Sequence, residues 1–441
     1  MEKLNVKKTN RKKKLIIGIS VAAILAIAAI IGIALIALSI NNKKPIAAFY
    51  GLTENQKVSL ESQLQTTLER RKTGNHLPYE IITLNPNVPL EQAINESGKT
   101  PDLIFTKLGL NAENLAAKSL DMGFGLDKNE LDVVSNSIQG LAIEPYAKGK
   151  TIAAVPLLTD HYQMDINTEQ YQKSSVHRIA DLDDLETFLS IAKKMNQQNA
   201  GFAPIIFAGG DNAELLNVLQ VLTEASGDMD NVKAAKILIR EETQKAAPDY
   251  VSLAKQLISN GGLFYKAAQL LKKWDNMGYL PENYLQFQKS EVSFYMETNL
   301  TCASILPLSL HRTIKHNVLM NYTTIYMPGI SENMNRSFIA PVIGVIPYGN
   351  KNLWERFVSL FVKNKSLDSV KQFLNDQNGS IAGRTMLAPV NKTAITVDKQ
   401  ANDTRFWIAA SGTPSLPLSD DCFLWDEKLS KLANELRFML K

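Results

Sequence analysis

The stretch IAAFYGLTENQKVSLESQLQTTL, residues 46–68, indicates the fold class of the chain. Its first five residues are apolar and predict a short buried strand. Thr53 and Gln56 have the spacing of a capping box, which is typical of the start of a helix. Leucines then follow at positions 60, 64 and 68, as on the apolar face of an amphipathic helix. A strand followed directly by a helix favours an α/β protein.

The same alternation of strand and helix patterns continues along the chain. Further strands are predicted at 79–84, 102–105, 151–156, 204–207 and 338–346. Helices are predicted around 182–192, 215–222, 267–274, 354–362 and 366–374. Asp181 and Asn212 are candidate N-caps, and Gly278 has a position typical of a helix end. Because no linker or repeat interrupts this pattern, we expect domains that are joined by several chain crossings.

An apolar run near the amino terminus predicts the location of the protein. Residues 15–40 contain no charged side chain, and a helix of this length crosses a hydrocarbon core of about 30 Å. Residues 1–14 carry seven positive charges and one negative charge. The positive-inside rule then predicts a single-pass protein of the cytoplasmic membrane with a cytoplasmic basic tail and its body in the periplasm or outside the cell. A cleaved signal is the alternative, because Ala37-Leu38-Ser39 is a small-x-small sequence.

Charge argues against nucleic acid as a partner. The whole chain has a formal net charge of +4, and its first 44 residues carry nine positive charges and one negative charge. The remaining body therefore has a net charge of about −4. A protein that binds phosphate groups needs a positive face.

Motifs for catalysis and for cofactor binding are absent from the sequence. GxSxG, HExxH, GxxxxGK[ST] and GxGxxG do not occur, so we expect no enzyme, no cofactor and no metal. His311 lies near Ser309 without a neighbouring acid in the sequence. Asp420-Asp421 is expected to be a solvated pair of carboxylates. Cys302 and Cys422, the only cysteines, are either a disulfide or two buried thiols.

Five segments together resemble landmarks of one protein family. They are PDLIF at 101–105, IAAVPL at 152–157 with DIN at 165–167, WDNMGY at 274–279, FIAPVIG at 338–344 and LAPV at 387–390. Their order and spacing resemble the extracellular solute-binding proteins of bacterial ABC importers, in the maltodextrin-like, sugar-binding branch. The resemblance covers nearly all of residues 45–441.

This resemblance implies a two-lobed, type II periplasmic-binding-protein-like fold, here preceded by one transmembrane helix. The first lobe is expected to comprise residues 45–154 and 344–395. The second is expected to comprise residues 155–343 and 396–441. In such proteins a ligand binds in the cleft between the lobes.

The resemblance also implies which residues contact the ligand. The expected set lies at strand ends and loops that face the cleft and comprises Tyr50, Thr106, Asp160, Tyr162, Asp211, Asn212, Ser309 and Trp425. Aromatic rings stack on sugars in relatives, whereas Thr106 and Ser309 are small where many relatives carry Trp. Trp425 precedes a predicted helix, so it is either a platform for a sugar ring or a core residue.

The sequence is compatible with two functions. The first is a membrane-tethered receptor that delivers a small polar solute, such as a carbohydrate, to an ABC permease. The second is a degenerate solute-binding fold that acts as an extracytoplasmic sensor or as an adaptor for another protein.

Overall fold

The computed structural model describes residues 46–54, 56–57, 60–61, 80–127, 144–311, 313–330, 339–349, 388–389 and 415–441. Apart from Glu80, these residues belong to one compact unit. Within these ranges, no helix combines the length and the apolar character needed to cross a bilayer. The predicted anchor at 15–40, the helix pattern after residue 61 and the helices predicted at 354–374 lie outside the described residues.

A six-stranded sheet, here called the first sheet, forms around the opening stretch of sequence. The strands are β1 Ile46–Tyr50, β2 Glu80–Thr83, β3 Leu103–Lys107, β7 Val155–Thr159, β12 Val342–Pro347 and β13 Ala388–Pro389. Their order in the sheet is β13-β7-β12-β3-β1-β2. Strands β1 and β3 are parallel, and Tyr50 pairs with Thr106 at their carboxyl ends. Phe49 and Phe105 pack edge to face with ring centroids 5.6 Å apart. This geometry stabilises the fold by about 1 kcal/mol beyond the contribution from burial of the two rings.

A four-stranded sheet, the second sheet, has the order β11-β8-β10-β9. Its strands are β8 Tyr162–Asn167, β9 Ile205–Ile206, β10 Ala303–Pro307 and β11 Tyr322–Ile325. A small third sheet contains β4 Leu126–Asp127, β5 Ala147–Lys148 and β6 Thr151–Ile152. The first and second sheets with their helices are called the first and second lobes below.

Helices surround both sheets. They are α1 Leu90–Ser97, α2 Leu110–Asp121, α3 Thr168–Lys173, α4 Leu182–Met195, α5 Asn212–Ala225, α6 Met229–Thr243, α7 Tyr250–Ile258, α8 Tyr265–Asn276, α9 Lys289–Glu297, α10 Leu308–His311, α11 His316–Leu319, α12 Leu418–Asp421 and α13 Asp426–Leu440. A core cluster of the second lobe encloses Trp274 and Phe188, which are both fully buried. The α/β class predicted from the sequence is confirmed.

Local signals in the sequence mark several helix ends correctly. Thr53 and Gln56 exchange the two hydrogen bonds of a capping box. Asp181 caps α4, as predicted, by accepting a hydrogen bond from Asp184 N. The cap of α5 is Asp211 instead of the predicted Asn212, because the Asp211 carboxylate accepts from the first free N–H groups of that helix.

Two extended segments carry the chain between the two sheets, and backbone hydrogen bonds join them to each other and to Ser415. Asp160 N donates to Pro341 O at 2.8 Å, and Tyr162 N donates to Ile339 O at 3.0 Å. Ala340 N donates to Ser415 O at 3.0 Å. Strands β7 and β12 both lie in the first sheet, so the two crossings fall at residues 160–161 and 339–341. The lobe limits expected from the sequence stay a prediction.

The two cysteines are separate, buried thiols, so the disulfide alternative is wrong. Cys302 Sγ donates to Pro204 O at 3.0 Å. Cys422 Sγ lies 3.7 Å from Lys236 O on another part of the second lobe. Burial raises the pKa of both thiols well above its ordinary value, which keeps them protonated and unreactive at neutral pH.

Asp160, at the first crossing, is a buried carboxyl with a full set of local hydrogen bonds. It is 3% exposed. Its Oδ1 accepts from His161 N at 2.9 Å and from Ser309 N at 3.1 Å, and Ser309 Oγ donates to Oδ2 at 2.5 Å. Burial raises the pKa of Asp160 to about 6, although these hydrogen bonds oppose the rise.

This raised pKa predicts a pH dependence of stability. Folded Asp160 holds its proton up to about pH 6, whereas the unfolded residue loses it near pH 4. The unfolded state therefore binds fewer protons in this window, and the stability contributed by this group falls as pH rises. Asp160→Asn removes the ionisation. The free energy of unfolding of the variant, minus that of the wild type, should therefore rise by on the order of 2 kcal/mol between pH 4.5 and 7.5.

Chemical denaturation at the two pH values measures this difference. Asp183→Asn, at an exposed position in α4, controls for the loss of a carboxylate. If the free energy of unfolding of Asp160→Asn differs from that of the wild type by the same amount at both pH values, Asp160 does not titrate in this window.

Candidate functional site

A cavity that is partly open to solvent lies at the carboxyl ends of β1 and β3. This edge of a sheet is the usual place for ligands in α/β proteins. The cavity is lined by Tyr50, Gly51, Pro86, Thr106, Lys107, Asn111, Ser419, Asp420, Phe423, Trp425 and Asp426. Its walls therefore come from the first lobe and from residues 415–426, here called the C-terminal segment.

Backbone proximity brings this segment to the first lobe. Gly109, between β3 and α2, has a φ of +152°, and a Cβ there would lie 2.2 Å from Asp420 O. Only glycine permits this approach without displacement of the neighbouring backbone. Asn111 Nδ2 donates to Leu424 O at 2.7 Å and holds the next part of the segment.

Tyr50 holds the segment from the first strand. Its hydroxyl lies within hydrogen-bonding distance of the carbonyls of Val88 and Leu424, at 2.8 and 3.1 Å. The side chain is 2% exposed, and burial raises the pKa of its phenol above the ordinary value. Tyr50 thus lines the cavity, but its hydroxyl is already engaged with backbone carbonyls of the protein.

Lys107 and Asp420, which both line the cavity, form an ion pair. Lys107 Nζ lies 3.1 Å from Asp420 Oδ1, and the two side chains are 24% and 7% exposed. Burial raises the pKa of Asp420 above its ordinary value, although Lys107 opposes the rise. Burial alone would lower the pKa of Lys107, but the Asp420 charge raises it above the ordinary value, so the lysine stays cationic.

Asp421, the residue after Asp420, belongs to a second ion network, which joins both lobes. Arg240 of α6 forms a bidentate pair with Glu113 of α2, with both N–O distances 2.8 Å. Arg240 also binds the carboxylate of Asp421, which Lys236 contacts at 2.5 Å. The expectation that Asp420 and Asp421 are solvated carboxylates is therefore wrong, because both are buried and ion-paired.

Trp425 lies in the wall of the cavity and is half-buried. The ammonium of Lys428 sits 4.5 Å from the centroid of its ring and also donates to Thr243 O. Both alternatives for Trp425, a platform for a ligand or a core residue, stay predictions.

Thr106 is the third of the expected ligand residues that lines this cavity. It is 2% exposed. The other five expected residues do not line it and are engaged with protein groups: Asp160, Tyr162, Asp211, Asn212 and Ser309.

Tyr162 and Asp211 belong to a polar network in the second lobe. Tyr162 OH donates to Glu214 Oε2 at 2.7 Å, and Lys289 Nζ lies 3.0 Å from both Glu214 and Asp211. Burial would raise the pKa of Asp211, but the Lys289 charge lowers it below its ordinary value. Asn212 accepts a hydrogen bond from Arg437 at 2.8 Å.

Ser309 and His311 each contact a carboxylate that is distant from them in the sequence. Ser309 Oγ donates to Asp160, and His311 Nδ1 contacts Asp165 Oδ2. Each side chain thus has its own carboxylate partner. This arrangement fixes two separate pairs and does not form a Ser–His–Asp relay.

The ligand residues expected from the sequence did not include Asn111, Ser419, Asp420 and Asp426, which also line the cavity. Asn111 lies at the start of the helix that follows β3, and this position was an available signal. The acidic residues carried a weaker signal, because apolar Leu418, Cys422 and Phe423 flank them and predict a buried segment.

Comparison with known proteins identifies the fold. No protein-family model matches the chain, and neither does any curated protein sequence. Among solved structures, a probable secreted solute-binding lipoprotein from Streptomyces coelicolor matches with a TM-score of 0.60 at 11% identity, over 90% of this chain and 97% of that one. The bacterial solute receptor AcbH, which has an exclusive preference for β-D-galactopyranose, matches with a TM-score of 0.58 at 13% identity, over 90% and 98%.

A third similar structure comes from an ABC transporter. The solute-binding protein from Thermotoga lettingae, bound with α-D-tagatose, matches with a TM-score of 0.55 at 14% identity, over 90% of this chain and 94% of that one. At these identities the likeness concerns the fold. The chain has the two-lobed α/β fold of bacterial solute-binding proteins, as its sequence landmarks implied.

Proposed function

We propose that the chain is an extracytoplasmic solute-binding protein that delivers a small polar solute, a carbohydrate, to an ABC permease. The observation that carries this proposal is the polar and aromatic cavity between the first lobe and the C-terminal segment. AcbH and the Thermotoga lettingae protein, which share the fold, bind sugars. A type II arrangement of the lobes is part of the proposal.

The membrane tether is proposed on the sequence alone. Residues 15–40 would span the cytoplasmic membrane, with residues 1–14 in the cytoplasm and the body outside. A tether would raise the concentration of the receptor at its permease. Mass spectrometry of the membrane fraction should find the amino-terminal peptide on the full-length protein. Recovery of a soluble chain that starts near Ile40 would show that the segment is a cleaved signal.

The proposed role is binding without catalysis. The residue types that support nucleophilic catalysis are present, but Ser309 and His311 are each engaged by a separate carboxylate. The cavity residues offer hydrogen bonds, one ion pair and aromatic surface, which are the elements of a binding site.

A sensor or protein adaptor is the second candidate. It is favoured by one observation: five of the eight expected ligand residues are satisfied inside the protein, and the Tyr50 hydroxyl is as well. A receptor that has lost its solute would keep the fold and bind a partner instead.

A thermal-shift screen of the full chain in detergent separates the two candidates. The panel should contain neutral monosaccharides and oligosaccharides. A ligand present at 100 times its Kd should stabilise the folded state by about 2.7 kcal/mol, because it binds only that state. Stabilisation by a sugar supports the receptor. A panel without any shift would contradict solute delivery and favour the sensor or adaptor.

Trp425→Ala tests the aromatic wall. If the ring stacks on the ligand, the variant should bind the sugar found in the screen about 2–4 kcal/mol more weakly, by analogy with interface hot spots. Calorimetric titration measures this loss. Phe438→Ala is the matched control, since that ring lies on α13, the helix that follows Trp425, and is 77% exposed. Unchanged affinity in Trp425→Ala would remove the residue from the site.

A further inference from the structure

We propose that Asp420, together with Ser419, determines which ligands the cavity binds. Asp420 accepts a hydrogen bond from a ligand hydroxyl, and the charges at the cavity cause it to reject anionic sugars. The inference rests on the proposed function, because it concerns the same cavity. It adds a specificity determinant that the expected ligand residues do not include.

The carboxylate of Asp420 has one oxygen without a partner. Oδ1 pairs with Lys107, whereas Oδ2 is buried and has no hydrogen-bond partner among the described residues. The hydroxyl oxygen of Ser419, the preceding residue, is in the same state within the part of the chain that the structure describes. Buried polar atoms normally have partners, and the residues that carry these two line the cavity. A ligand that donates to Oδ2 and exchanges a hydrogen bond with Ser419 would satisfy both.

The protein holds these two side chains in place. Ser419 N donates to Asn217 Oδ1 at 3.4 Å, and the backbone of Asp420 packs on Gly109. On the other side, Asp421 is fixed by Arg240 and Lys236. The segment is thus held from both lobes, and a turn of the Asp420 carboxylate toward bulk water would break its pair with Lys107.

The charges at the cavity favour a donor and oppose an anion. Its lining contains two carboxylates, Asp420 and Asp426, and one ammonium, that of Lys107. Lys107 is already paired with Asp420. Lys428, beside the wall, is held over the Trp425 ring and by Thr243 O.

The more distant cations are committed as well. Lys289 pairs with Asp211 and Glu214, and Arg437 binds Asn212 and the carbonyls of Gly209 and Gly210. A ligand carboxylate would therefore be buried next to like charges, with no free cation among the described residues around the cavity, and a site rejects a competitor in this way.

Matched sugar pairs test this inference on the full chain. D-Galactose with D-galacturonate and D-glucose with D-glucuronate differ only in the acidic group, and calorimetric titration gives both affinities. We expect the neutral sugar to bind at least 100-fold more tightly than its uronate. Asp420→Asn should weaken the neutral sugar by 10- to 100-fold and reduce the ratio to below 10. Ser419→Ala should weaken the neutral sugar about tenfold.

Asp230→Asn is the control for the loss of one negative charge, since that side chain is 94% exposed, and it should leave both affinities unchanged. Thermal melting verifies that each variant folds, and the wild-type ratio needs no variant. A uronate bound as tightly as its neutral partner, or an Asp420→Asn protein with wild-type affinity, would overturn the inference alone. If no neutral sugar binds the wild type, the proposed function fails and this inference fails with it.

Discussion

The hydrogen bonds that join the two crossing segments to each other and to Ser415 are the constraint on which the rest of the molecule depends. Residues 160–162, 339–341 and 415 lie side by side and form backbone hydrogen bonds. They fix where the second sheet and its helices begin relative to the first sheet. Ser415 is also the start of the C-terminal segment, which then runs to the carboxyl edge of β1 and β3. Small changes at the crossings would therefore alter the geometry of the cavity.

Local periodicity predicted the elements of the fold well. The strands expected at 79–84 and 102–105 and the helices expected at 182–192 and 267–274 are present with shifted ends. These elements carry their own signals, such as apolar spacing, the cap at Asp181 and the glycine at 278. The pairing order of the strands could not be obtained in this way, because it depends on contacts between residues hundreds of positions apart.

The site was harder to predict than the fold for a physical reason. A polar residue at a strand end can serve a ligand or satisfy a buried group of the protein, and the sequence carries the same signal for both. Asp160 and Tyr162 satisfy buried groups, since Ser309 and Glu214 are brought to them by tertiary structure. Asp420 has the opposite outcome. It was expected to be solvated, and the packing of α12 between the lobes buries it beside Lys107.

The state of the two cysteines has a practical consequence for measurement. Cys302 and Cys422 are the only cysteines in the chain, and both are buried and protonated at neutral pH. A maleimide dye therefore has no competing target on the native protein. A single cysteine introduced at an exposed position on each lobe could be labelled in the wild-type background. Energy transfer between the two dyes would then report the separation of the lobes in real time, without the need to replace a native residue.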